Sequence, residues 1–371
     1  MHILKTNEHT TEEVIQKARE ELAAGGLVIF PTETTYGAGV DATQQSAVDK
    51  LLAYKSRREG KPLSIAVTDQ QMAEQYVEVN DSAKRIYQRF LPGPVTVVSK
   101  SKNVVAQGVA SEYGTLGVRI PAYPLVIDIV KALGKPMTAT SANGSGEKRP
   151  YTVQDIFDGL SEKQKSLIDL VIDAGELPPN PPSTVIDTTL DTPVVFRQGD
   201  ITVEGTSTEQ TVFPSASEEQ TQEIAQRIML KHWNSIKETG LVIALHGSLG
   251  VGKTVFVKGM AKFLGIQDTL TSPTYVYLLQ YHYNRHEQQG QLHHFDLWRI
   301  ENPEMLEQLE FGSLFGPNQV VAIEWPSIAD QALRELVGNA GVPYLEVFIA
   351  EEGSVPDKRS ITFKEPTQKA S

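Results

Sequence analysis

Residues 245–254 read LHGSLGVGKT, and this stretch sets the fold of the chain around it. Gly247 to Thr254 satisfies the pattern G-x-x-x-x-G-K-[ST]. An apolar run, LVIALH (241–246), precedes the loop, and the helical pattern VFVKGMAKFLG (255–265) follows it. Strand, phosphate loop and helix are therefore expected in that order. Gly247, Gly250 and Gly252 let backbone N–H groups curl around phosphate oxygens, Lys253 neutralises the β- and γ-phosphates, and the Thr254 hydroxyl sits on Mg²⁺. A metal-bound nucleotide also needs a carboxylate at a neighbouring strand end. The runs LHHFD (292–296) and VVAIEW (320–325) offer Asp296 and Glu324. Either could hold the metal, directly or through water, while the other orients the attacking water. The guanine-reading pattern N-K-x-D does not occur, which favours ATP.

More than half of the chain precedes this loop. A length of 371 residues suggests two or three domains. A hydrophobic fraction of 40% and a charged fraction of 22% are ordinary for globular protein. The absence of cysteine excludes disulfides, thiolate chemistry and cysteine-based zinc sites, and fits a cytoplasmic enzyme. The formal net charge is −12, and both halves are acidic on balance, which argues against a stand-alone nucleic-acid binder. KSRREGK (55–61) is the best local basic patch. No apolar run approaches a membrane span, and the start MHILKTNEHTTEE does not read as a secretion signal.

Two helix starts are legible. Thr10 with Glu13 forms a capping box before a face of Val14, Ala18 and Leu22, and Gly25-Gly26 stops that helix. The strand LVIF (27–30) follows, cut off by Pro31. Ser217 with Gln220 makes a second capping box, and Gly240 ends the helical region before LVIALH. Between the halves, GDITVEGTSTEQTVFPSASEEQ (199–220) is polar with a short apolar island. This places a first domain at 1–203, a linker at 204–216 and a second domain at 217–371. ELPPNPPST (176–184) is too rich in proline for a central strand and reads as a surface loop or lid. Each domain alternates helices with short apolar strands, so α/β is the expected class for both.

The rear motifs, in order, are GSLGVGKT, SPTY (272–275), HFDLWR (294–299) and IEWP (323–326). This set resembles the TsaE family, small P-loop ATPases of bacterial tRNA modification. The resemblance implies that Thr274 lies in a nucleotide-sensing loop, that Asp296 and Glu324 serve Mg²⁺ and hydrolysis, and that Trp325 packs beside the site. Ser248 and Trp298 replace the family's usual acidic residue and tyrosine, and neither change removes a phosphate or metal ligand.

The front half is rich in hydroxyls and cations just past apolar strands. PTETTYGAG (31–39) carries Thr32, Thr35 and Tyr36. Lys55 and Arg57 form K-x-R, and Lys61 opens KPL. GVRIP (117–121) supplies Arg119, and TATSANGSG (138–146) supplies Ser141 and Asn143. STVID (183–187) begins at Ser183, and FRQG (196–199) holds Arg197. From chemistry alone this is a site for a polyanion and a small polar partner, with fixed cations to stabilise charge on a transferred phosphoryl group. Neither a Ser-His-Asp set nor a histidine-rich metal cluster is evident.

Together with PGPVT (92–96), these motifs resemble the YrdC/TsaC family of threonylcarbamoyl-AMP synthases. The resemblance implies an open twisted α/β sheet with a cationic cleft, and a reaction of L-threonine, bicarbonate and ATP. It assigns Lys55 and Arg57 to carbamate, carboxylate or phosphate oxygens. Ser141 and Asn143 hold the nucleotide, with Ser183 and Arg197 in the substrate site. Thr32, Thr35 and Tyr36 line the threonine pocket, and Arg119 takes substrate or phosphate charge. Lys61 stands where some relatives have histidine.

The two resemblances imply one pathway, with two ATP sites and Mg²⁺. The front half makes the activated intermediate, a TsaD–TsaB transferase passes it to tRNA, and the rear half resets that partner. An RNA-binding regulatory ATPase with an inactive front half is the rival reading, opposed by the intact K-x-R and S-x-N positions.

Overall fold

The computed structural model describes residues 1–55, 63–144, 148–189, 193–201, 210–273, 276–298, 311–352 and 358–364. The chain separates into two compact units, Met1–Glu204 and Gly205–Ser371.

The front unit contains β1 (His2–Lys5), β2 (Leu27–Phe30), β3 (Gly37–Gly39), β4 (Ser64–Ala66), β5 (Val77–Glu78), β6 (Val95–Ser101), β7 (Thr115–Arg119), β8 (Met137–Thr138), β9 (Thr140–Ser141), β10 (Ile168–Asp173), β11 (Thr184–Asp187) and β12 (Val194–Arg197). They form two sheets, one ordered β1-β10-β2-β3-β9 and the other β12-β11-β6-β7-β4-β8, with β5 beside β6. β1, β10 and β2 run parallel. Helix Thr11–Ala23 begins at the expected box. Glu13 N donates to Thr10 Oγ1 at 3.3 Å, and Thr10 N donates to Glu13 Oε2 at 2.9 Å. Its buried residues are Val14, Ala18 and Leu22, a spacing of four that keeps one face on the core.

One feature of the topology positions chemistry. Thr138 ends β8 in the second sheet, and Thr140 begins β9 in the first. The chain thus passes between sheets within three residues. Ser141 ends β9, paired with Gly37, and Asn143 follows two residues beyond the strand.

The rear unit is one mixed sheet, ordered β13-β19-β18-β14-β17-β16-β15. Its strands are β13 (Gln210–Ser215), β14 (Leu241–His246), β15 (Leu278–Arg285), β16 (Gln288–Asp296), β17 (Gln319–Glu324), β18 (Tyr344–Glu351) and β19 (Arg359–Lys364). The central four, β18, β14, β17 and β16, are parallel. Leu241 to Leu245 are all buried, as expected of a strand covered on both faces.

Two expectations need revision. The segment expected as linker, 204–216, includes β13, which pairs along its whole length with β19. Its apolar island is an edge strand, with Phe213 fully buried and stacked on Phe363 at 5.6 Å. Ser217 does cap helix Glu218–Lys231, but Gln220 Oε1 accepts from Ala216 N at 2.6 Å, one residue before the position a capping box requires. Among the described residues no helix is long and apolar enough to cross a membrane.

Phe213→Ala removes a buried aromatic from the β13–β19 pair. Its expected cost to the rear unit is about 3 kcal/mol. Guanidinium unfolding should show the rear transition shifted and the front transition unmoved.

Candidate functional site

In the front unit, Lys55 caps helix Gln45–Tyr54 at its C-terminal end. Its Nζ donates to Ser141 O at 2.7 Å and to Asn143 O at 2.5 Å. The adjacent Tyr54 hydroxyl donates to Ala142 O. One helix end therefore grips three successive carbonyls of the S-A-N segment, and Lys55 is only 4% exposed.

The PTETTYG turn lies against the same segment. Gly37 pairs with Ser141 across β3 and β9, and Ala142 N donates to Tyr36 O at 2.9 Å. Thr32 Oγ1 accepts from the backbone N–H groups of Thr34 and Thr35, both at 3.2 Å, and donates to Thr35 O at 2.6 Å. This hydroxyl shapes the turn, as serine and threonine do in hydroxyl-closed turns. Thr35 Oγ1 donates to Pro150 O at 2.5 Å. Tyr36 is wholly buried, and its hydroxyl donates to Gly175 O at 2.7 Å and accepts from Ala174 N at 2.9 Å. Burial pushes its phenol well above the usual range. Tyr36 therefore meets Ala142 through its main chain, while its side chain anchors residues 174–175.

The cations converge on this region. Arg119, at the end of β7, donates to Glu33 Oε1 at 2.7 Å and approaches Thr34 Oγ1 at 3.5 Å. Arg197, ending β12, donates Nε–H to Ser183 O at 3.0 Å and an Nη hydrogen to Ser183 Oγ at 2.9 Å. Ser183 Oγ lies 2.9 Å from Thr96 Oγ1. Arg197 keeps an exposed surface. Even so, protein packed around its guanidinium, and then the like charges of Arg119 and Arg149, hold its pKa down to about 10. Guanidiniums close enough to repel one another favour a polyanion that neutralises several at once.

In the rear unit, Gly247 has φ +147°, and a Cβ there would lie 2.3 Å from Ile349 O, so only glycine fits. Gly252, at φ +108°, precedes helix Lys253–Leu264. Lys253 Nζ donates to Gly247 O at 3.0 Å and Ser248 O at 2.8 Å, and lies 3.7 Å from the centre of the Trp325 ring. Burial pulls its ammonium below the usual lysine range, against the opposing pull of Glu324 and Asp296. Asp296 and Glu324 are register partners on β16 and β17, and Leu245 of β14 is the next partner of Glu324. Both acids therefore stand beside the phosphate loop. Thr254 Oγ1 donates to Glu324 Oε1 at 2.8 Å, and Trp298 N donates to Asp296 Oδ1 at 3.0 Å. The hydroxyl and two carboxylates form a hard, all-oxygen donor set that suits Mg²⁺.

The structure thus brings Thr32, Thr35, Tyr36, Lys55, Ser141 and Asn143 into one connected region, with Arg119 joined to the same turn through Glu33 and Thr34. Arg197 joins Ser183, and its charge is felt with those of Arg119 and Arg149. It brings Gly247, Gly250, Gly252, Lys253, Thr254, Asp296 and Glu324 into another. Arg57, Lys61 and Thr274 lie outside the described residues. Sequence reasoning missed Glu33, Arg149 and His294. Glu33 was hidden among the threonines of a motif read for its hydroxyls. Arg149, in a basic pair just after a glycine-rich turn, carried a weak signal. His294, two residues before Asp296 and so on the same strand face, carried a clearer one.

Comparison with known proteins agrees with this division. The Sua5/YciO/YrdC family model, described as telomere recombination, matches residues 20–199. The model described as threonylcarbamoyl adenosine biosynthesis protein TsaE matches residues 215–360. A Methanocaldococcus jannaschii protein, provisionally named a threonylcarbamoyl-AMP synthase, is 37% identical over 202 residues, 54% of this chain and 93% of that protein. The Bacillus subtilis threonylcarbamoyl-AMP synthase is 31% identical over 197 residues, 53% of this chain and 56% of its own length. A solved structure of a doubly substituted Sua5 from Pyrococcus abyssi shares the fold, with a TM-score of 0.51 and 22% identity over 93% of this chain and 98% of that one.

Packing around Arg197 and its neighbouring guanidiniums disfavours its charge in the free protein, and a bound polyanion relieves that repulsion. Titration calorimetry at pH 8 should therefore show that Arg197→Met lowers the ATP affinity of the front unit, and that raising the salt concentration weakens binding less in Arg197→Met than in the unaltered chain.

Proposed function

The chain belongs to the Sua5/YciO/YrdC family through its front unit and carries a TsaE-family unit behind it. From this premise we propose that it is a bifunctional enzyme of tRNA threonylcarbamoyladenosine formation. The front unit joins L-threonine, bicarbonate and ATP. The threonine amine and bicarbonate give a carbamate with loss of water. A carbamate oxygen then bonds to the α-phosphorus, the bond to the β-phosphate bridging oxygen breaks, and pyrophosphate leaves. The products are threonylcarbamoyl-AMP, pyrophosphate and water.

This chain's residues supply binding and electrostatics for that sequence. Lys55 fixes the S-A-N segment and places a cation beside it. Ser141 and Asn143 hold the nucleotide, the Thr32–Tyr36 turn shapes the threonine side, and Arg119 and Arg197 neutralise phosphate or substrate carboxylate. Arg57 and Lys61 complete the cation set in this reading. The observation that carries it is the grip of a buried Lys55 on the carbonyls of Ser141 and Asn143.

The rear unit hydrolyses ATP in support of a TsaB–TsaD transferase, which passes the threonylcarbamoyl group to tRNA. Lys253 and the loop N–H groups bind the phosphates. Thr254 with Asp296 or Glu324 would hold Mg²⁺, which when bound neutralises charge between the β- and γ-phosphates. The other acid orients the attacking water, and Thr274 belongs to the nucleotide-sensing loop.

Purified protein given ATP, Mg²⁺, L-threonine and bicarbonate should yield threonylcarbamoyl-AMP by mass detection, and none when threonine is omitted. Lys55→Ala should reduce the yield by at least about 100-fold, the scale of a lost transition-state charge contact. Lys253→Ala should leave that yield unchanged while stopping the rear unit's ATP hydrolysis. Loss of both activities in either variant would contradict two separate sites.

A further inference from the structure

One oxygen of Glu324 is held from two sides. Its Oε1 accepts from Thr254 Oγ1 at 2.8 Å and from His294 Nε2 at 2.9 Å. A carboxylate oxygen only accepts, so the shared hydrogen sits on His294 Nε2. His294 is 0% exposed, and its Nδ1 is buried without a partner among the described residues. A fully buried imidazole with an unused acceptor is costly, and an apolar side chain could fill the same place without that penalty. What this position gains from histidine is the bond to Glu324.

The neighbouring histidine shows the contrast. His293 points to the opposite face of β16, where its two nitrogens meet Gln280 Nε2 at 3.0 Å and Gln319 Oε1 at 2.8 Å. That ring is satisfied on both sides within a polar ladder across three strands. Among the described residues His294 is satisfied on one side only, and that side is an acid at the phosphate loop.

We propose that His294 is a positioning residue for Glu324. With two donors on Oε1, the carboxylate cannot rotate without losing both bonds. Oε2 takes no hydrogen bond among the described residues, and it is the oxygen presented to the Mg²⁺-nucleotide or the attacking water. This inference rests on the rear unit being an Mg²⁺-dependent ATPase, and it names the group that fixes its acid.

The test compares His294→Phe, which keeps a ring and loses the donor, with His294→Gln, whose amide N–H can replace Nε2–H, in the full chain. His294→Phe should lower kcat for ATP hydrolysis about 10- to 100-fold, the range seen when the partner of a metal-site ligand is removed. KM for ATP should change little, because the phosphate loop is intact. His294→Gln should recover most of the loss. At equilibrium, the gain in ADP affinity on adding Mg²⁺ should shrink in His294→Phe and return in His294→Gln. Equal losses in the two variants, or an unchanged kcat and Mg²⁺ effect in His294→Phe, would overturn the proposal. Should the unaltered chain hydrolyse no ATP, the ATPase reading fails, and the binding arm still decides the role of His294.

Discussion

Among the described residues, each unit buries a lysine ammonium on two main-chain carbonyls. Lys55 is tied to Ser141 and Asn143, and Lys253 to Gly247 and Ser248; each residue is 4% exposed. Taking an ammonium out of water costs several kcal/mol unless the protein returns the lost hydrogen bonds. Carbonyl dipoles return part of that energy without neutralising the charge. The arrangement holds the cation in place, and it also fixes the loop whose carbonyls it binds. In the front unit that loop is the junction between two sheets. In the rear unit it is the turn that glycine alone can make. Cation and loop are thus organised before any anion arrives, which reduces reorganisation when charge develops.

The surrounding charges differ between the units in a way that matches their proposed tasks. The front region gathers Arg119, Arg149 and Arg197 closely enough for their repulsion to help depress the Arg197 pKa, with Glu33 bound to Arg119. Such an excess of positive charge suits a triphosphate and its departing pyrophosphate. The rear region sets two carboxylates beside one lysine. That balance suits a nucleotide accompanied by a divalent cation, since the acids would otherwise repel the phosphates.

Local chemistry was legible in the sequence and distant pairing was not. Thr10 with Glu13, the positive-φ glycines around 247–252, and the strand ends at Asp296 and Glu324 all follow from neighbours within a few residues. The grip of Lys55 on residues 141–143 spans over eighty positions, and motif order brought those residues into one list without showing which atoms meet. β13 was lost because an edge strand in a polar segment declares itself only through its partner, here β19. The inward turn of the Tyr36 hydroxyl was hidden for a related reason. A tyrosine in a hydroxyl-rich turn reads as a pocket residue until the carbonyl of Gly175 and the N–H of Ala174 are seen to take its hydrogen bonds.

The two proposed activities need two lysine-centred anion sites that work separately on one chain. Equilibrium ATP binding in the presence of Mg²⁺ and L-threonine measures this directly. Two nucleotides should bind per chain, falling to one when either Lys55 or Lys253 is replaced by methionine. A stoichiometry of one in the unaltered chain, or loss of all binding from a single replacement, would contradict it.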